Sequence, residues 1–219
     1  AWKQPAAAID AELTKSNKVY SGVIGKSGDN TNVVIGQRFT PANLKANDYT
    51  TFYLDSISFY CATPATYKLR VWCGPEGREM DIYSQEREVS ETDKWVSTKL
   101  DTPVLIDPAK SYIIGYEVTP EKGTYACAYD TKTEADGGNL LYEYSSADKM
   151  YEWTPLSSFS EIRGCWMVSG HITSDPDAAG KKDNNIGYKV WRMKAADKGD
   201  QSKWTSITAE ATAETALSD

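Results

Sequence analysis

The sequence has one histidine, His171, and four cysteines, with no Cys-x-x-Cys pair among them. A zinc site needs clustered His and Cys ligands, so this inventory argues against one. His171 shares a strand phase with Cys165 but lies six residues away, about 20 Å along a strand. Those two cannot act as nucleophile and base. Cys61, Cys73 and Cys127 look like core positions, so a Cys–His or Ser–His enzyme is not expected. His171 reads as a rim histidine, and no catalytic residue is assigned. There is no Gly-x-Gly-x-x-Gly and no phosphate-loop lysine. There is no apolar run of about 18 residues, the length a membrane-spanning helix needs. Lys and Arg total 24 against 31 Asp and Glu, a formal charge of −7. Nucleic-acid binding requires clustered positive charge, and this balance speaks against it. Phenylalanine is scarce, 4 residues against 14 Tyr and 7 Trp. Tyr and Trp carry polar handles and suit strands and binding surfaces.

What is present is alternation. In Leu54-Asp-Ser-Ile-Ser-Phe-Tyr-Cys61, Ile57, Phe59 and Cys61 share one face, opposite Ser56, Ser58 and Tyr60. In Tyr67-Lys-Leu-Arg-Val-Trp-Cys73, Tyr67, Leu69, Val71 and Cys73 oppose Lys68, Arg70 and Trp72. Period-two alternation marks half-buried strands. With Pro64 between them, the two runs read as a hairpin needing a second sheet over one face. Cys61 and Cys73 fall in the apolar phase and read as buried thiols, with a disulfide as the alternative. Further strands are expected over 17–24, 32–39, 80–84, 87–89, 95–100, 102–106, 124–129 and 164–172. Ser111 to Val118 is apolar on both faces, as a central strand is. Leu140 to Tyr144 and Tyr151 to Trp153 read as a hairpin. Helical turns are expected over 6–13 and 40–45. Many short strands with turn signals between them indicate an all-β sandwich or barrel.

Composition shifts after Thr173. The stretch 173–181, with Ser174-Asp-Pro-Asp177, reads as a linker. Beyond it Ile186-Gly-Tyr-Lys-Val-Trp-Arg-Met193 alternates again, and further strands are expected near Trp204 and Thr212. The chain opens Ala1-Trp2-Lys3, with neither initiator Met nor signal peptide, as a processed chain would.

Two sets of residues are candidate binding groups. Tyr60, Arg70 and Trp72 fall on the polar phase of the first two strands, where exposed aromatics can stack on sugar rings or anchor a protein. A covering layer over that face is the alternative. Asp29 and Asn32 in one loop, and Asp130 and Asp136 in another, offer hard oxygen ligands suited to calcium. Their spacing matches no calcium-loop pattern, and turn chemistry alone explains Asp and Asn there. No other cofactor is implied. The carboxylates are numerous enough for a glycosidase pair by count, but solvated acidic residues are the simpler reading.

Several stretches, taken in order, carry a resemblance. They include Val34-Ile-Gly-Gln-Arg-Phe-Thr-Pro41, Ala65-Thr-Tyr-Lys-Leu-Arg-Val-Trp72, Trp95-Val-Ser-Thr-Lys-Leu-Asp101, Ile113-Ile-Gly-Tyr-Glu-Val118, Tyr125-Ala-Cys-Ala-Tyr-Asp130 and Trp166-Met-Val-Ser-Gly170. The series resembles the jelly-roll modules of Bacteroidetes secreted and surface proteins, similar to the haemagglutinin-type adhesin domains that accompany gingipain peptidases. Gly187-Tyr-Lys-Val-Trp-Arg192 is similar to the middle strands of a fibronectin type III module. The resemblance implies a jelly-roll β-sandwich over 17–172 and a partial fibronectin-like unit built from 1–16 and 182–219, the native chain continuing past Asp219. It implies an extracytoplasmic protein, secreted or on the outer-membrane surface. That protein would be a monomeric, non-catalytic adhesion module for host extracellular protein or glycan. An accessory carbohydrate-binding domain of a secreted hydrolase is the alternative, and a free-standing glycoside hydrolase a more distant one.

Overall fold

A computed structural model describes residues 9–25, 32–45, 52–145, 149–175, 191–192, 194 and 205–206. The chain divides into two compact units, Ala1–Pro176 and Asp177–Asp219. The first is a jelly-roll β-sandwich. Its strands are β1 (Asp10–Leu13), β2 (Gly22–Ile24), β3 (Val33–Phe39), β4 (Phe52–Cys61), β5 (Ala65–Gly74), β6 (Met80–Val89) and β7 (Lys94–Ile106). They continue with β8 (Ser111–Val118), β9 (Cys127–Asp130), β10 (Leu140–Ser145), β11 (Met150–Pro155), β12 (Cys165–Trp166) and β13 (Val168–Thr173). A short helix, α1 (Pro41–Lys45), follows β3. One sheet runs β1-β13-β4-β9-β12, with β7 also on β4 and β2 also on β9. The other runs β11-β10-β3-β8-β5-β6. In the second unit the described strands are β14 (Trp191–Arg192) and β15 (Thr205–Ser206), an antiparallel pair.

The core lies between the sheets. Ile57, Phe59 and Cys61 from β4 face Tyr67, Leu69 and Val71 from β5, all fully buried. The Phe59 and Tyr67 rings meet at 4.5 Å. The buried tyrosines keep their polar ends satisfied: Tyr67 Oη donates to Thr63 O at 2.8 Å and Tyr116 Oη to Ala126 O at 3.1 Å. An unpaired buried hydroxyl would be costly. Central β8 buries both faces, as its sequence predicts: Tyr112, Ile114, Tyr116 and Val118 inward, Ile113 outward against Trp72 and Trp153.

Four expectations are corrected. The runs 54–61 and 67–73 do not form a hairpin. β4 belongs to one sheet and β5 to the other, so Ala62–Pro64 is an arch across the core. Alternation has the same period in both arrangements and cannot separate them. The second correction is at the N-terminal end, where Asp10–Leu13 is a strand and not a helical turn. Ala11 and Leu13 pack on the core, and β13 supplies the ladder. The sandwich therefore takes in residues assigned by sequence to the second unit, while residues 1–8 lie outside those described. Third, the pairs 80–84 with 87–89 and 95–100 with 102–106 each form one strand. Fourth, the strand expected over 17–24 is confined to Gly22–Ile24. The ladder between β4 and β7 skips Asp55 on one side and Leu100 to Pro103 on the other. Pro103 is tolerated because it falls in that gap, where no ladder bond is required of it.

Two glycines shape the second sheet. Gly36 on β3 and Gly115 on β8 face each other in register. A Cβ on Gly115 would lie 1.8 Å from Ile35 O, and one on Gly36 would lie 2.4 Å from Ile113 Cγ2. This close approach accompanies a strong curl. Trp72 on β5 meets Trp153 on β11 at 4.8 Å, although β8, β3 and β10 lie between them.

Candidate functional site

The outer face of the first sheet can be built from register alone. The outward residues of β4 are Ser56, Ser58 and Tyr60. Tyr60 stands opposite Trp95 of β7. Ser58 lies between Ser97 of β7 and Ser169 of β13. Ser56 lies between Lys99 of β7 and His171 of β13, and Glu12 of β1 follows His171. The face thus has an aromatic row, a hydroxyl row and a charged row, about 7 Å apart at two residues per step.

Residues 14–21 cross from β1 to this face as a strap. Buried Asp130 fixes it: its carboxylate accepts from Ser16 Oγ at 3.0 Å, Asn17 N at 2.7 Å and Lys132 N at 2.7 Å. Gln37, also fully buried, accepts from Lys15 N at 2.7 Å. The strap delivers Tyr20, 45% exposed, onto Tyr60, with the rings stacked at 4.9 Å and 25°. Tyr60 meets Trp95 edge-on at 6.5 Å. Lys18 pairs with Glu12 and holds its ammonium 5.0 Å from the Trp95 ring, a cation–π contact.

At the other end His171 stands between two carboxylates. Its Nδ1 is 2.6 Å from Asp55 Oδ1 and its Nε2 is 2.6 Å from Asp10 Oδ1. Partial burial pulls the imidazole pKa down. The hydrogen bonds and charges of Asp55 and Asp10 outweigh that and raise it above its ordinary value. The partnerless rim histidine expected from sequence is replaced by this bridge.

Of the predicted ligand residues, only Tyr60 lies on this face. Arg70 and Trp72 are on β5, in the other sheet. Trp72 is 3% exposed and packs under Trp153, so the covering layer is what the structure shows there. Arg70 pairs with Asp81 and with Glu117, the latter at 2.6 Å, and sits 5.1 Å from the Trp72 ring. The four oxygen ligands do not form one site. Asp29 lies outside the described residues. Asn32 Nδ2 donates to Glu117 Oε1 at 3.0 Å. Asp130 is spent on the strap. The Asp136 loop attaches at the far end of β3, where Arg38 N donates to Gly137 O, about 20 Å from Asn32 at strand rise. Among the described residues no three acidic, His or Cys groups are placed to hold a metal ion.

Sequence reasoning missed Trp95, Tyr20, Lys18, Asp10 and Asp55. Outward alternation of Trp95 in its strand was a usable signal; its pairing with Tyr60 was not, because it depends on register between distant strands. An apolar cavity of about 270 Å³ opens elsewhere, between Ile24, Val33, Leu141, Phe159 and Trp166. Among the described residues of its wall, Glu143 is the carboxylate.

No family model matches the chain, and no curated protein does. Two similar solved structures are of one clostridial protein. The cysteine protease Cwp84 after propeptide cleavage aligns with a TM-score of 0.51 at 14% identity, over 76% of this chain and 40% of that one. A structure of the cysteine protease and lectin-like domains of Cwp84, a surface layer associated protein of Clostridium difficile, aligns at 0.45 and 14% identity, over 66% of this chain and 32% of that one. The chain therefore spans less than half the length of either, and the first likeness shows a shared sandwich fold.

Proposed function

We propose that the chain is an extracytoplasmic, non-catalytic binding module whose β1-β13-β4-β7 face takes a glycan. The observation that carries this is the Tyr20–Tyr60–Trp95 cluster beside a row of serine hydroxyls. A sugar ring has an apolar C–H face and a rim of hydroxyls. Aromatic rings stack on the first, and Ser58, Ser97 and the adjacent charged groups hydrogen-bond the second. Two features support a non-catalytic role. Both nitrogens of the only histidine are engaged by carboxylates. Burial pushes the Cys61 and Cys165 thiols up, and the Cys127 thiol up to about 12. Thiols held protonated are poor nucleophiles.

The test is a combined glycan and matrix-protein array followed by titration of the best glycan. Tyr20→Ala and Trp95→Ala should each weaken binding by about tenfold or more, which is roughly 1.4 kcal/mol. Tyr20→Ala should cost less than about 1 kcal/mol of stability, because the ring is substantially exposed. Binding of matrix protein alone, or glycan binding indifferent to both substitutions, would remove the platform from consideration.

A further inference from the structure

We propose that His171 is a pH-dependent clamp that holds edge strand β1, and through it one corner of the platform, against the face in its protonated form and releases it when neutral. The clamp stands on geometry alone; its bearing on binding rests on the reading of the face as a ligand platform.

The ladders on both sides of β4 skip Asp55. Leu54 pairs with Ile172 and Val104, and Ser56 pairs with His171 and Lys99. Such a register shift re-aims a side chain. Here it places the Asp55 carboxylate, only 6% exposed, on the imidazole Nδ1. A buried carboxylate must be hydrogen-bonded, and the other donor on Asp55 is Ser56 Oγ at 3.3 Å. Asp10 on β1, 71% exposed, meets Nε2. The charged groups facing the imidazole from neighbouring elements are Asp10 and Glu12 on β1, Asp55 on β4 and, further out, Lys18 on the strap and Lys99 on β7. The nearest are acidic.

An imidazolium donates from both nitrogens, so it satisfies both carboxylates at once. A neutral imidazole has a single N–H. Asp55 is buried and loses more without a donor, so it keeps that proton. Asp10 then faces a ring lone pair and has water as its alternative. β1 is the element that yields. It has four residues and stands at the edge of the sheet among the described strands; besides the clamp it is held by its ladder to β13, the packing of Ile9, Ala11 and Leu13, the exchange of Ile9 with Ser174 (N to Oγ at 3.0 Å, Ser174 N to Ile9 O at 3.1 Å), and Glu12 on Lys18 and Ser169. Short edge strands open locally at low cost. Release of β1 removes Glu12 from Lys18 and with it the support of the cation over Trp95.

The sign follows from linkage. The His171 pKa is raised in the folded protein, so the clamp contributes fully below the ordinary value of about 6.5 and fades as pH rises through the folded value.

The single histidine makes the experiment direct. The imidazole resonance of the full chain is titrated by NMR from pH 5.5 to 9, and amide exchange of residues 10–13 is followed over the same range, corrected for intrinsic exchange. β1 protection should fall with the midpoint of the His171 titration, by about tenfold for each unit that this midpoint lies above that of an undocked histidine. Asp10→Asn should lower the midpoint, and His171→Gln should make β1 protection independent of pH. Protection that ignores the His171 titration, or a midpoint unmoved in Asp10→Asn, overturns the clamp. If His171→Gln does not fold, the exposed Asp10 position decides. No ligand is involved, so a blank glycan array would remove the ligand reading and leave the clamp standing.

Discussion

Trp72 lies on the outward phase of β5, yet it is almost fully buried, because Trp153 stands edge-on to it and Arg70 sits near its ring. Truncation should behave as a core deletion. Trp72→Ala is expected to cost about 3–5 kcal/mol in urea denaturation. A loss below about 1 kcal/mol would mean that the Trp72–Trp153 contact contributes nothing to the fold. His171 shows the complementary case. Its sequence neighbours, Gly170 and Ile172, gave no partner, and its two partners come from 116 and 161 residues away. The residue type and its outward phase were legible. The carboxylates were not, because Asp55 is aimed by a local break in alternation and Asp10 sits in a stretch that reads as a helical turn.

At the scale of elements, the inward phase of β4, β5 and β8 was readable because apolar burial enforces period two. So were the central position of β8 and the β10–β11 hairpin, both of which the structure contains. Which sheet each strand joins was not readable, since an arch and a hairpin present the same alternation. That is why Tyr60 was grouped with Arg70 and Trp72, on opposite sides of the molecule. The curl of the second sheet is likewise a tertiary property, marked in sequence by two isolated glycines inside strands. Gly115→Ala should test it. With backbone oxygen Ile35 O at 1.8 Å from the new Cβ, no rotamer change relieves the clash. The variant should lose more than about 3 kcal/mol or fail to fold, beyond the usual range of single substitutions. Gly77→Ala is the control: its φ of 78° is strained for alanine but a Cβ there meets nothing within 4 Å, so the cost should be about 1 kcal/mol. Similar losses at both positions would show that contact at the β3–β8 glycine pair is not what fixes the sheet.

At the scale of the whole molecule, the described residues of the main buried cluster fall between Val33 and Ile172. Ile9, Ala11 and Leu13 are among the partly buried residues packed against it. Because Ala1–Pro176 is a compact unit by itself, a chain ending at Pro176 should unfold in one cooperative transition and melt within about 4 °C of the full chain, the shift that roughly 1 kcal/mol produces at this size. Calorimetry of the two chains reads this out, and a non-cooperative or much earlier transition in the shorter chain would show that the first unit does not fold alone.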